Sequence, residues 1–242
     1  MLSRLLAASS ALLLGAGRVL GADFPPFLPD AERLPAEVRS EVVSVWSRHT
    51  LSRTVSGQPA RVPLDLFRLF VDLPEVTTAA ARHLGLAKYR VRQLGLDLYG
   101  ADDGEGAMGT YRVLVREPHR RIMLTWGRHT SFVLGEISGA SLTLLAFEPE
   151  TDADGRPWVA QRVETFVRID NRVAAFFARL LLPLFSGYAD RKIVETFNVT
   201  ARVSEWARED PADFCRWLAG EPEAGRHRAA FAPLLPPCGV PA

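Results

Sequence analysis

The stretch WVAQRVETFVRIDNRVAAFFARLLLPLFSGY, Trp158 to Tyr188, changes rhythm in its middle. Up to Ile169 it alternates, with Val163, Thr165, Val167 and Ile169 on one side and Arg162, Glu164 and Arg168 on the other. A period of two marks a strand with one wet face and one dry face. Past Asp170 and Asn171, either of which can cap a helix, the apolar residues Val173, Phe176, Phe177, Leu180, Leu181, Leu184, Phe185 and Tyr188 recur at helical spacing. They predict a long helix with a broad greasy stripe. Pro183 lies inside it and should kink it, because its ring displaces a backbone hydrogen bond. The helix is expected to resume near Ala189, with Ile193, Phe197 and Trp206 inward, and to end near Asp210-Pro211.

Upstream, turn signals divide a run of strands. Tyr89 to Tyr99 alternates and reads as one strand, followed by an acidic, glycine-rich loop from Gly100 to Gly109. Tyr111, Val113 and Val115 then alternate with Arg112, Leu114 and Arg116. Turns at Glu117-Pro118-His119 and Gly127-Arg128-His129 bracket a strand over Arg121 to Trp126. Phe132 to Ile137 and Ser141 to Phe147 follow, parted by Ser138-Gly139, and Asp152 to Gly155 precedes the strand that ends at Ile169. Strands joined by tight turns favour an antiparallel meander over crossover units. Before the meander, Leu34 to Arg48 has helical spacing and His49 to Ser56 reads as a first strand. Two short helices follow, one opened by Pro63, the other carrying Pro74 in its first turn and stopping at Gly85. Phe214 to Leu218 reads as a last short turn.

A strand, two short helices, an antiparallel run and one aromatic-rich helix is the element order of the helix-grip superfamily. This chain resembles it over Thr50 to Ala207, through that order, the Pro63-to-Phe70 opening of the paired helices and the Phe176-to-Pro183 stretch. The superfamily includes START lipid-transfer domains, polyketide cyclases and the birch-pollen allergen family (SRPBCC). The resemblance implies an α+β fold: a curved antiparallel sheet of six to seven strands packed on a long kinked C-terminal helix. A helix before the first strand is an addition. It also implies a cavity between sheet and helix, with Phe177, Leu181, Leu184 and Tyr188 on one wall and Tyr111, Val113, Trp126, Val163 and Thr165 on the other. The expected divisions are residues 1–22, 23–49 as lead and helix, 50–208 as the helix-grip domain, and 209–242 as a tail.

Residues 1–22 read as an export signal: Arg4, then an apolar run from Leu5 to Ala16, then small residues at Gly21-Ala22. The run is too short to span a bilayer, which takes about 20 apolar residues. A periplasmic or secreted location follows as the expectation. Lys and Arg total 29 against 28 for Asp and Glu, so no strong field points to nucleic acid. The two cysteines, Cys215 and Cys238, can pair in an oxidising compartment, or stay free.

Residues with chemical potential are sparse. The five histidines lack the spacing of metal ligands. Asp102-Asp103 and Asp152-Ala-Asp154 fail the register of a calcium loop and read as hairpin turns. Ser138 lacks a nucleophile elbow. Glu136, beside Arg128 and His129, would act as an acid or base only if it faced a greasy interior. Asn198-Val-Thr200 matches a glycan acceptor on a helix. No catalytic residue, metal or cofactor is assigned. The leading expectation is a binding or transfer protein for a hydrophobic small molecule or lipid. Arg179, Arg191 and Lys192 would either touch a membrane surface during transfer or simply face water, and the sequence favours neither. A cyclase or dehydratase, with Glu136, Arg128 or Tyr111 as the ionisable group, and an envelope interaction protein with a filled core are the alternatives.

Overall fold

The computed structural model describes residues 24–131, 135–171 and 197–239. A helical turn at Ala31–Arg33 leads into α1 (Ala36–Arg48), β1 (Leu51–Ser56), α2 (Leu64–Asp72) and α3 (Pro74–His83). Six strands follow: β2 (Arg90–Gly95), β3 (Leu98–Asp102), β4 (Ala107–Glu117), β5 (Arg120–Ser131), β6 (Gly135–Thr151) and β7 (Pro157–Ile169). A helix over residues 197–209, here α4, precedes α5 (Pro211–Leu218) and α6 (Ala224–Phe231). The expected kink at Pro183, and the stripe from Val173 to Tyr188, lie outside the described residues.

The strands form one curved antiparallel sheet in the order β1-β7-β6-β5-β4-β3-β2. Strands β2 to β7 are a plain meander, and β1 closes on β7 with Leu51 opposite Val167 and Val55 opposite Val163. With two helices after β1 and helices after β7, this is the helix-grip arrangement. The break between α2 and α3 is set by Leu73-Pro74: a residue before proline is pushed out of the helical region, and Leu73 sits at φ −118° and ψ 65°. Thr77 Oγ1 then donates to the Phe70 carbonyl at 2.6 Å, tying the start of α3 to the end of α2.

Alternation gives the sheet two buried faces. On one, Ile122, Leu124, Leu142 and Phe166 pack under Val38, Val42 and Val45 of α1. Phe27, Trp46 and Phe166 form an aromatic cluster there, and Arg168 ties β7 to Glu41 of α1 at 2.9 Å. On the other face, Leu145, Phe147 and Val163 pack with Phe67 and Phe70 of α2 and with the C-terminal helices. Phe70, Phe214 and Phe231 meet at ring separations of 4.9–5.5 Å, so residues beyond 209 share this core.

Several local expectations are corrected. Tyr89 to Tyr99 is not one strand but a hairpin, β2 and β3, turning at Asp97 with φ 54°. Gly127-Arg128-His129 and Ser138-Gly139 are not turns; β5 and β6 run straight through them. Gly100 and Gly109 likewise lie within β3 and β4. The tail is not a single short turn: α5 is followed by α6, and the Cys215–Cys238 disulfide, Cα atoms 4.9 Å apart, clips α5 to the chain after α6. Both cysteines are buried beside Phe214 and Phe231. Reduction is therefore expected to cost about 2–4 kcal/mol of stability, as loss of a native disulfide generally does. Urea unfolding with and without a thiol reductant measures it.

Candidate functional site

Between the sheet and the helices lies a cavity of about 640 Å³. Its floor is a grid of three strands, β4, β5 and β6; β5 and β6 contribute every second residue, and β4 does so up to its bulge after Val113. Successive cross-strand rows are Arg116-Arg121-Leu145, Val113-Met123-Thr143, Tyr111-Thr125-Ser141, Gly109-Gly127-Gly139 and Ala107-His129-Ile137. The opposite wall, among the described residues, includes Phe70, Val71 and Pro74 at the α2–α3 junction and Phe197 and Val199 of α4. Most of the lining is apolar. A concave, mostly apolar hollow with a few polar groups is the usual form of a small-molecule site, for which about 300–1,000 Å³ is typical.

The hollow has a physical cause in the fourth row. Three glycines side by side on adjacent strands remove the side chains that would otherwise fill the bend. They also let backbones approach: a Cβ on Gly109 would strike the Trp126 carbonyl, and one on Gly139 the Arg168 carbonyl. At Gly127 a Cβ would meet only the Met108 carbonyl oxygen, at 3.5 Å.

A charged cluster closes the first row. Arg121, 4% exposed, forms a two-pronged pair with Asp72 at 2.7 and 2.8 Å and also donates to the Glu117 carbonyl. Its guanidinium carbon lies 5.3 Å from the Phe147 ring centroid. Arg116 bridges Asp72 and Asp97 and donates to the Tyr99 hydroxyl at 3.0 Å. Burial alone would lower the Arg116 pKa, but its hydrogen bond to Asp97 and the charge of Asp72 reverse this and raise it. Arg116 reaches the cavity because β4 bulges between Val113 and Val115. Strict alternation would have placed it with Arg112 on the far side, as the sequence reading did; an inserted residue reverses which face the strand presents. Arg121 is not among the expected site residues, and nothing in its local sequence pattern marks it as buried.

Tyr99 and Tyr111 stack with ring centroids 5.0 Å apart. Burial raises both hydroxyl pKa values, for Tyr111 far above the ordinary tyrosine range. Unfolded tyrosine ionises near pH ~10, so above that the unfolded chain releases protons first and stability falls, while below it the contribution is intact. Tyr111→Phe is expected to flatten part of that alkaline fall, measured as the urea midpoint across roughly pH 8 to 11.

The sequence-based wall residues fall into four groups. Tyr111 and Val113 stand on the cavity floor. Val163 and Thr165 share that face but not the cavity: Val163 is fully buried in the core with α2, and Thr165 is covered by its 2.9 Å hydrogen bond with Thr143. On β7 the cavity instead meets Val167 and Ile169. Trp126 is a correction. It lies between Thr125 and Gly127, so alternation turns it to the opposite face, where it packs with the α1 core. Phe177, Leu181, Leu184 and Tyr188 lie outside the described residues, as do Arg179, Arg191 and Lys192.

Of the inward residues expected on the last helix, Phe197 lines the cavity, whereas Trp206 packs against His83, Phe214 and Trp217. Glu136 is 56% exposed and faces Arg128 at 3.6 Å, outside any greasy interior. The aspartate turns are hairpin loops: Asp103 accepts from the Glu105 and Ala107 amides, Asp152 from those of Asp154 and Arg156. Asn198 accepts from the Gln58 amide at 2.7 Å.

No family model matches the chain, and no curated protein does. Among solved structures it is similar to a conserved protein from Geobacillus kaustophilus, at 15% identity and a TM-score of 0.44, over 64% of this chain and 93% of that one. It is also similar to Ara h 8.0201, at 12% identity and a TM-score of 0.37, over 64% and 98%. A third is the ZhuI aromatase/cyclase from Streptomyces sp. R1128, at 11% identity and a TM-score of 0.34, over 65% and 96%. At these identities the likeness concerns the course of the chain and nothing that is bound.

Proposed function

We propose that this chain is an exported protein that carries a hydrophobic small molecule or lipid in the cavity between its sheet and its helices. The observation that carries this reading is the hollow itself, about 640 Å³ and largely apolar in lining. Binding would come from burial: each methylene withdrawn from water contributes about 0.8 kcal/mol. Val113, Met123, Leu145, Val167 and Ile169 supply the greasy surface, and no chemical step is needed. Export is supported by the signal-like residues 1–22 and by the buried disulfide, since such bonds persist in oxidising compartments. An acid–base enzyme on the same cavity has less support, because Glu136 is solvent-facing and Arg116, Arg121 and Arg128 are held by carboxylates.

Native mass spectrometry of the protein purified from its own cells, followed by organic extraction, tests the proposal. The expected result is one extractable apolar molecule per chain, or uptake of one equivalent of the neutral probe N-phenylnaphthylamine by the extracted protein. A chain that releases nothing and takes up no probe contradicts it.

A further inference from the structure

We infer that the row Tyr111-Thr125-Ser141 is a neutral hydrogen-bonding stripe that selects apolar ligands bearing an uncharged oxygen, such as an alcohol, ketone or ester, over carboxylates and bare hydrocarbons. This rests on the cavity being a binding site for an apolar molecule. The three residues are direct cross-strand partners on β4, β5 and β6, and all line the cavity. The next row provides an internal contrast. There Thr143 and Thr165 satisfy each other at 2.9 Å. The hydroxyls of Tyr111, Thr125 and Ser141 have no hydrogen-bond partner among the described residues. All three residues are part-buried where they line the cavity, so their hydroxyls are free to donate to a guest in that space and to accept from it.

The charged end of the cavity is closed to an anionic head. Arg121 is paired through both prongs with Asp72, and Arg116 is shared between Asp72 and Asp97. Two guanidinium charges thus meet two carboxylates, and a carboxylate ligand would have to displace Asp72 or Asp97 to gain a partner at that end; the other cations of the lining, Arg90, Arg128 and His129, lie beyond the glycine row. Tyr111 stays protonated because burial raises its pKa, so it keeps a proton to donate. A hydroxyl or carbonyl oxygen satisfies such a stripe without bringing in a charge that has to be desolvated.

Displacement of N-phenylnaphthylamine by decanol, decane and decanoate tests the inference. Wild-type protein should bind decanol roughly fivefold or more tightly than either of the others, the size expected of one net hydrogen bond. The triple variant Tyr111→Phe, Thr125→Val, Ser141→Ala should lose the preference for decanol over decane, read as the ratio of the two affinities whatever its own affinity for the probe; Tyr111→Phe alone should lose part of it. Equal binding of decanol and decane by the wild type, persistence of the preference in a triple variant that still binds probe, or a preference for decanoate each overturns the stripe while leaving the carrier reading intact. Failure of the wild type to bind the probe overturns both.

Discussion

An Asp72→Ala variant is expected to lose about 3 kcal/mol of stability, because removing one partner of a buried ion pair strands the other. Arg121 is 4% exposed, and Asp72 is its only carboxylate contact among the described residues. The same carboxylate holds Arg116, so two cations lose their counter-charge at once. Asp72 is the last residue of α2, so the loss also frees the helix end from the sheet. Replacing both partners with apolar residues, as in Asp72→Ala with Arg121→Met, should recover much of the deficit, since it removes the stranded charge. Urea midpoints at unchanged slope read both effects. A loss below about 1 kcal/mol in the single variant would be the value of a surface pair and would contradict this placement.

The glycine row carries the second large effect. Gly127→Leu should leave the fold standing and lower affinity for N-phenylnaphthylamine by about tenfold or more, a change of about 1.4 kcal/mol. A side chain at this position enters the hollow and meets only the Met108 carbonyl oxygen at its base. Gly109→Ala should do the reverse. Its Cβ collides with the Trp126 carbonyl, so the backbone must shift, at a cost of about 1–3 kcal/mol in stability. Neighbouring positions in one row thus separate volume from architecture. Thermal unfolding and probe titration of both variants measure the two quantities.

The same glycines explain where the sequence misleads. Gly127 and Gly139 read as turn punctuation because glycine usually is, and a single chain does not announce that three of them will stand abreast on adjacent strands. The boundaries that rest on local chemistry emerge as expected: Pro63 and Pro74 opening the paired helices, Pro118 and Gly155 turning hairpins; the face of β7 expected to be wet is instead covered by α1 around Phe166. The wall residues are harder, since their facing depends on register. A bulge after Val113 swings Arg116 into the cavity, and unbroken alternation keeps Trp126 out of it. Arg121 shows the other limit. A charged residue at a strand start reads as solvated, and only the arrival of Asp72, forty-nine positions away in the chain, makes its burial affordable.

A crystal of the protein soaked with bromodecane puts the hollow itself to the test. The account predicts an anomalous bromine peak between the β4–β6 floor and the helices, beside Val113, Met123 and Leu145, at near-full occupancy. The same space packed solid with side chains, or bromine found only on the outer surface, would contradict it.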